Sequence, residues 1–159
     1  MGSHVSVVPN HQLNRKTPLH TRANVAYFGT FGYELDLNKL SDEEISEVKQ
    51  QITFMKEYRE LIQFGTFYRL KSPFEGNETV WMTVSEDKKT ALVFWYRERN
   101  VVNADFTRVR LQGLDPDLIY RNEYNETENY GDELMNLGLL TTDCTAAVSY
   151  THLTLPTIL

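Results

Sequence analysis

The sequence predicts a parallel α/β unit followed by an antiparallel β domain, and three observations support this prediction. Residues 41–64 carry the signals of a long amphipathic helix, and the segments before them alternate between strand-like and helix-like patterns. After Gly65 the spacing of apolar residues changes from a helical repeat to strict alternation. Two alternating segments then flank the polar turn SEDKK, which is typical of a β-hairpin. We therefore expect two units, residues 1–65 and residues 66–140.

The first unit is predicted to run strand, helix, strand, helix. Residues 2–8 are rich in β-branched side chains and indicate a short buried strand. A helix is expected over residues 18–28, with Thr17 as the N-cap, a proline at the first helical position and Gly29 at its end. The segment FGYELDL, residues 31–37, predicts the second strand.

The second helix of this unit has a well-marked start. Ser41 and Glu44 have the S-x-x-E spacing of a capping box, in which each side chain bonds a backbone N–H of the first turn. Acidic residues in that turn favour the positive end of the helix dipole. Its buried face is expected to consist of Ile45, Val48, Ile52, Met55, Leu61 and Ile62.

The second unit reads as a series of short strands. The strand-like segments are residues 66–72, 79–84, 90–99, 106–114 and 118–124. The hairpin carries four aromatic residues, Trp81, Phe94, Trp95 and Tyr96. Such residues form either a platform that stacks on sugars or part of a core, and alternating aromatics in a hairpin favour the core.

Composition excludes several classes of partner. The net charge of −6 and the pI of about 5.2 disfavour nucleic-acid binding, which needs a basic face. No apolar run approaches the roughly 18 residues of a membrane span, and no signal peptide opens the sequence, so a cytoplasmic location is the default expectation. Cys144 is the single cysteine, which excludes an internal disulfide.

A metal site is not expected. The four histidines are His4, His11, His20 and His152, and their spacing does not match common zinc sites. His4 and Ser6 lie two residues apart on a strand, but the sequence has no G-x-S-x-G elbow for serine catalysis.

Polar residues directly after the first strand are the best candidates for ligand contact. Asn10, His11 and Gln12 follow the strand's carboxyl end, where the ligand-binding loops of an α/β barrel lie. We predict that His4, Asn10 and His11 line the rim of a substrate pocket. The alternatives are a polar contact of His4 at the strand end and a loop that stabilises itself through side-chain hydrogen bonds to its own backbone.

Two acidic residues share one face of the second predicted strand. Glu34 and Asp36 lie two residues apart, so both side chains point the same way. A catalytic carboxylate pair normally draws its members from different strands. We therefore expect these two residues to make structural hydrogen bonds.

The last residues differ in character from the rest of the chain. The string VSYTHLTLPT resembles the in-frame translation of a transposon-end sequencing adaptor. We predict that residues 141–159 are a non-native tail, with the junction between Leu140 and Ala147. The final string AVSYTHLTLPTIL shows no helical period and no clear partner in the rest of the sequence. The alternative is a genuine disordered tail. The abrupt start of the chain also predicts a piece of a longer protein.

Several motifs together carry a family resemblance. The strings HVS, PNHQ, TR.NVA.FG and GYELDL, all within residues 1–37, resemble the late part of the catalytic barrel of glycoside hydrolase family 36 α-galactosidases. LQGLDPDLIYRN and YGDELMNLGL resemble the C-terminal β domain of the same family.

The resemblance implies the last units of a (β/α)8 TIM barrel, from strand seven to helix eight, followed by an antiparallel β-sandwich. It also implies an enzyme that releases terminal α-linked galactose from melibiose or raffinose with retention. Such enzymes need no cofactor and are homo-oligomers, often tetramers. In this family the two catalytic aspartates lie in a KWD-type motif and in an SD motif on an earlier strand. KWD does not occur in this sequence, and its one SD, Ser41-Asp42, belongs to the predicted capping box of a helix.

No catalytic residue is therefore assigned, and the isolated chain is expected to be inactive. The competing hypothesis is a non-catalytic carbohydrate-binding or assembly module built from the β-rich half.

Overall fold

A computed structural model describes residues 2–97, 99, 102, 107–123 and 125–140 with their side chains, and residues 150–158 by their backbone alone. The chain divides into two compact units, Met1–Gln63 and Phe64–Leu159, next to the change of apolar period at Gly65. The helices are α1 (Leu19–Ala26), α2 (Asp42–Phe64) and α3 (Gly131–Asn136). The strands are β1 (Val5–Ser6), β2 (Tyr33–Glu34), β3 (Thr66–Lys71), β4 (Glu78–Val84), β5 (Thr90–Arg97), β6 (Arg108–Val109), β7 (Ile119–Arg121), β8 (Glu128–Tyr130), β9 (Leu139–Leu140) and β10 (Tyr150–Ile158).

The first unit pairs two parallel strands and packs two helices with them. β1 and β2 are each two residues long, so the predicted strands over residues 2–8 and 31–37 are too long. A parallel ladder extends only where a neighbouring strand continues, and each of these strands has one neighbour within the described residues. The core of this unit consists of Val5, Leu19, Ala23, Ala26, Tyr27, Val48 and Met55.

Helix α1 begins differently from the prediction. Pro18 takes the N-cap position with φ −53° and ψ 151°, and no side chain caps the helix. The predicted N-cap, Thr17, is therefore wrong. Its carbonyl oxygen instead accepts a hydrogen bond from Nε of Arg22 at 3.0 Å.

The start of α2 confirms the capping box. The backbone N–H of Ser41 donates to Oε2 of Glu44 at 2.9 Å, and the N–H of Glu44 donates to Oγ of Ser41 at 3.3 Å. The predicted buried face is correct at Val48 and Met55 but wrong at Ile52, which is 36% exposed. Gln51 is buried in its place, because its Oε1 accepts a hydrogen bond from the hydroxyl of Tyr33 at 2.7 Å.

Loss of this cap should weaken α2 measurably. We expect Ser41→Ala to destabilise the helix in a synthetic peptide of residues 39–65 by about 0.5–1 kcal/mol and so to lower its helicity, because one N–H of the first turn loses its acceptor. Circular dichroism of the peptide measures the change. Ser46→Ala is the matched control inside the same helix and should not lower helicity; an equal loss in both peptides would contradict the capping role.

The second unit is built on an antiparallel sheet in the order β3-β4-β5-β10-β7-β8. Strands β6 and β9 form a separate two-stranded antiparallel sheet, and the strand predicted over residues 106–114 is reduced to Arg108–Val109. The predicted hairpin is confirmed, with Val84 opposite Ala91 and Glu78 opposite Arg97.

One face of the sheet lies on the core of this unit. That core contains Val80, Met82, Val84, Ala91, Val93, Trp95, Val109, Leu111, Leu114, Tyr120, Leu134 and Leu139. Phe94 and Trp95 are 2% and 3% exposed, which confirms the core interpretation for these two aromatic residues.

The last strand gives the chain end a partner that its sequence does not indicate. The backbone of Tyr150–Ile158 forms β10 between β5 and β7. An adaptor-derived origin for this segment stays a prediction. Residues 141–149, including Cys144, lie outside the described residues.

Within the described part of the chain, none of the helices combines the length and the hydrophobicity of a membrane span.

Candidate functional site

The loop between β1 and α1 holds two of the three predicted rim residues and has an ordered tip. The N–H of Asn10 donates to the carbonyl oxygen of Arg15 at 2.9 Å, and the N–H of Asn14 donates to the carbonyl oxygen of Asn10 at 2.8 Å. Oδ1 of Asn10 accepts from the N–H groups of Gln12 and Leu13, both at 3.0 Å. Asn10 thus shapes residues 10–15 into a closed turn, as the self-stabilising alternative predicted.

The base of the same loop is held by a second residue, Arg22 of α1. Its Nη1 donates to the carbonyl oxygen of Ser6, the last residue of β1, and its Nε donates to the carbonyl oxygen of Thr17. One guanidinium therefore contacts both ends of the loop. Sequence reasoning did not identify Arg22 as a functional residue. A signal was present, because Arg22 lies at the i+3 position of the apolar stripe Leu19, Ala23 and Ala26, where a charged side chain is unusual.

His4 contacts a residue of the neighbouring strand. Nε2 of His4 lies 2.6 Å from Oε2 of Glu34, and both side chains are largely exposed. Asp36 accepts from the backbone N–H of Asn38 at 3.0 Å and so begins a single 3-10 turn at Leu37–Lys39. Both carboxylates thus make structural contacts, as expected.

The three predicted rim residues do not form one cluster. His4 precedes β1, whereas Asn10 and His11 lie beyond its end. All three are exposed. Among the described residues His11 has no hydrogen bond or ion pair, so its side chain is the one of the three that a ligand would meet without displacing an internal contact. Their role as a pocket rim stays a prediction.

A chain of polar side chains connects β2 to α2. The hydroxyl of Tyr33 donates to Gln51, and Nε2 of Gln51 donates to Oε1 of Glu47 at 2.8 Å. Burial raises the pKa of Tyr33 to about 12, and the negative charge of Glu47 adds to that shift. The phenol therefore stays a neutral donor at physiological pH.

The second unit holds a buried ionic cluster around Glu78. Its Oε2 lies 2.5 Å from Nζ of Lys71, and its Oε1 lies 3.4 Å from Nη2 of Arg97. Thr107 donates its hydroxyl to Oε1 at 2.9 Å, and the Arg97 guanidinium lies 4.9 Å from the centre of the Trp95 ring. Burial alone would raise the pKa of Glu78, but its hydrogen bonds and the charge of Lys71 bring it below the ordinary value.

Neither region offers a metal site. Within residues 2–97, 99, 102, 107–123 and 125–140, no three histidine, cysteine, aspartate or glutamate side chains come together as a cation would require.

The role of Asn10 leads to a proteolysis experiment. We expect Asn10→Ala to lower the free energy of opening of residues 10–15 by about 1 kcal/mol, because two backbone donors lose their acceptor. This change raises the open population of the loop about fivefold. Trypsin cleavage after Arg15 or Lys16, followed by mass spectrometry, measures that population. Asn10→Asp keeps an acceptor oxygen and should cleave like the parent; similar cleavage rates for Asn10→Ala and the parent would show that the turn does not depend on this side chain.

Two family models match the chain in succession. Residues 1–65 match Melibiase, and residues 78–151 match the glycosyl hydrolase family 36 C-terminal domain. Alpha-galactosidase AgaA of Geobacillus stearothermophilus is 52% identical over 139 residues, which are 87% of this chain and 19% of that protein. Alpha-galactosidase Mel36A of Lactobacillus acidophilus is 47% identical over 138 residues, with 87% and 19% covered. The chain thus spans about a fifth of the length of these relatives.

Solved structures agree with the sequence matches. A variant of AgaA in complex with 1-deoxygalactonojirimycin superposes with a TM-score of 0.95 at 46% identity and covers 99% of this chain and 22% of that chain. The α-galactosidase from Lactobacillus brevis superposes with a TM-score of 0.95 at 42% identity, with 100% and 22% covered. Together, the two family models and these relatives show that the chain belongs to glycosyl hydrolase family 36.

Proposed function

We propose that this chain is the C-terminal portion of a retaining α-galactosidase, which releases terminal α-linked galactose from oligosaccharides such as melibiose and raffinose. The observation that carries the proposal is the succession of two models of one family along the chain. Relatives called α-galactosidases support it at 52% and 47% identity. AgaA variants have also been crystallised in complex with stachyose and with raffinose.

The whole enzyme that we propose places this chain in a larger fold. The first unit supplies the last strand–helix units of a (β/α)8 barrel, and the second unit supplies the appended β-sandwich. Parallel pairing of β1 with β2, each followed by a helix, supports the first assignment. We further propose a cytoplasmic homo-oligomer, such as a tetramer, that works without a cofactor.

The proposed chemistry divides the work between this chain and the rest of the enzyme. Retaining glycosidases use two carboxylates about 5–5.5 Å apart, one as nucleophile and one as acid and base. We assign neither to this chain, since Glu34 pairs with His4 and Asp36 begins a 3-10 turn. In this proposal the chain instead contributes a wall of the pocket, with His4, Asn10 and His11 on its rim.

The competing sugar-binding β module has less support. That hypothesis depended on aromatic side chains of the hairpin being available to stack on a sugar. Phe94 and Trp95 are buried, and the Trp81 ring lies against Phe94 with centroids 6.0 Å apart. Stacking on a sugar needs an open ring face, which the two buried rings do not offer.

A chimera tests the proposed function. The 139-residue stretch of AgaA that this chain matches is replaced by the corresponding residues of this chain, and hydrolysis of nitrophenyl α-galactoside is measured. We expect the chimera to be active, and both the isolated chain and AgaA without that stretch to be inactive. Hydrolysis by the isolated chain, or a folded but inactive chimera, would contradict the proposal.

A further inference from the structure

We propose that Arg22 is a positioning residue for substrate binding, because it fixes where the β1–α1 loop presents its tip. The inference rests on the proposed function and adds to it a residue that does not itself touch the substrate. The tip, residues 10–15, carries the proposed rim residues Asn10 and His11.

The loop is closed at two levels, and each level depends on one side chain. Asn10 closes the tip through its amide oxygen and backbone, so the tip keeps its shape as one body. Arg22 closes the base by donating to Ser6 at the end of β1 and to Thr17 before α1. The tip is therefore rigid in itself, and its position relative to β1 depends on Arg22.

The surroundings of Arg22 explain why an arginine is needed there. The side chain is half buried, and burial lowers its pKa, whereas the charges of Glu44 and Glu47 raise it. The guanidinium stays protonated, and its planar group of donors reaches two carbonyl oxygens in different directions. A lysine in the same place presents one ammonium on a flexible stem and cannot hold both ends with the same geometry.

The expected kinetic signature follows from the location of the loop. It carries rim residues and, in our proposal, none of the reacting carboxylates. Displacement of the tip should weaken binding of the ground state and the transition state alike, which raises KM and leaves kcat nearly unchanged. A residue that only stabilised the fold would lower the amount of active enzyme and leave KM unchanged.

The test uses the active chimera with Arg22→Lys, and Arg59→Lys as a matched control outside the loop. Arg59 is exposed on α2, and within the described residues its side chain makes no hydrogen bond or ion pair. We expect Arg22→Lys to raise KM for raffinose about five- to tenfold with kcat changed less than about twofold. The Arg59→Lys chimera should match the parent in both constants.

Hydrogen exchange gives a readout that does not depend on activity. Amides of residues 7–17 should exchange faster in Arg22→Lys than in Arg59→Lys, while those of α1 and α2 stay unchanged. An unchanged KM, an unchanged exchange rate in the loop, or a loss of kcat alone together with a lower Tm would overturn the inference. A folded chimera that is inactive but shows the expected exchange would contradict the proposed function and leave the Arg22 contact supported.

Discussion

Glu78→Ala is expected to destabilise the second unit by about 3 kcal/mol, because it leaves the Arg97 guanidinium buried without its carboxylate. The side chains of Glu78 and Arg97 are only 12% and 8% exposed. Lys71 and Thr107 lose their common acceptor in the same step. Removal of one member of a buried charged cluster costs far more than removal of an exposed charge.

The same cluster predicts a dependence on pH. Because the pKa of Glu78 is lower in the folded chain than its ordinary value of 4.5, its ionisation favours the folded state. That stabilisation is fully present above the unfolded pKa and is lost as the pH falls through the folded pKa. The parent should therefore lose stability as the pH falls below the ordinary carboxyl pKa of 4.5, and Glu78→Gln should lose less over the same interval.

Urea unfolding followed by tryptophan fluorescence measures both effects. The two tryptophans of the chain, Trp81 and Trp95, lie in the second unit, so the signal reports on that unit alone. Glu86→Ala is the control, since Glu86 is an exposed residue of the hairpin turn and should change stability by less than about 0.5 kcal/mol. Equal small effects at the two positions would show that the buried cluster adds little to stability.

Gly131→Ala is expected to lower the free energy of unfolding by about 3 kcal/mol, because there is no room for a β-carbon at the start of α3. A β-carbon there would lie 1.9 Å from the carbonyl oxygen of Asp115 and 3.0 Å from the ring of Tyr120. Neither neighbour can move easily. The N–H of Gly131 is bonded to the carbonyl oxygen of Leu118 at 2.9 Å, and Tyr120 is fully buried.

Gly76→Ala provides the matched comparison for this prediction. A β-carbon at Gly76 would meet no atom within 4 Å, so the substitution should change stability by less than about 0.5 kcal/mol. Urea unfolding with tryptophan fluorescence is again the measurement. If Gly131→Ala and Gly76→Ala lowered stability to the same small extent, α3 would not be held against Asp115 as closely as described.

Elements specified by local sequence were predictable, and those specified by distant pairing were not. The capping box of α2 and the hairpin of β4 and β5 depend on residues close in sequence, and both are present. β1 and β2 pair with each other from separate parts of the sequence. Strand-like patterns therefore predicted their existence but not their length. β10 pairs with β5 across more than fifty residues, which no local pattern reveals.

The role of the polar cluster after the first strand as a pocket rim stays a prediction. Of that cluster, Asn10 shapes the loop through contacts of its side chain, and the alternative of a self-stabilising loop predicted such contacts. The position of Arg22 on the apolar stripe of α1 marks it as unusual but does not reveal its partners, because its acceptors are backbone carbonyls, which carry no sequence signature. The Glu78 cluster depends on the observed register, with Val84 opposite Ala91 and Glu78 opposite Arg97, whereas counting outward from the turn SEDKK would place Tyr96 opposite Glu78.

The most direct test of the central claim is the rate at which the AgaA chimera releases galactose from raffinose. If this chain forms the closing part of a family 36 α-galactosidase, kcat/KM of the chimera should lie within about tenfold of AgaA, a difference of about 1.4 kcal/mol in transition-state stabilisation. A folded chimera whose kcat/KM is no higher than that of AgaA lacking the stretch would contradict the claim.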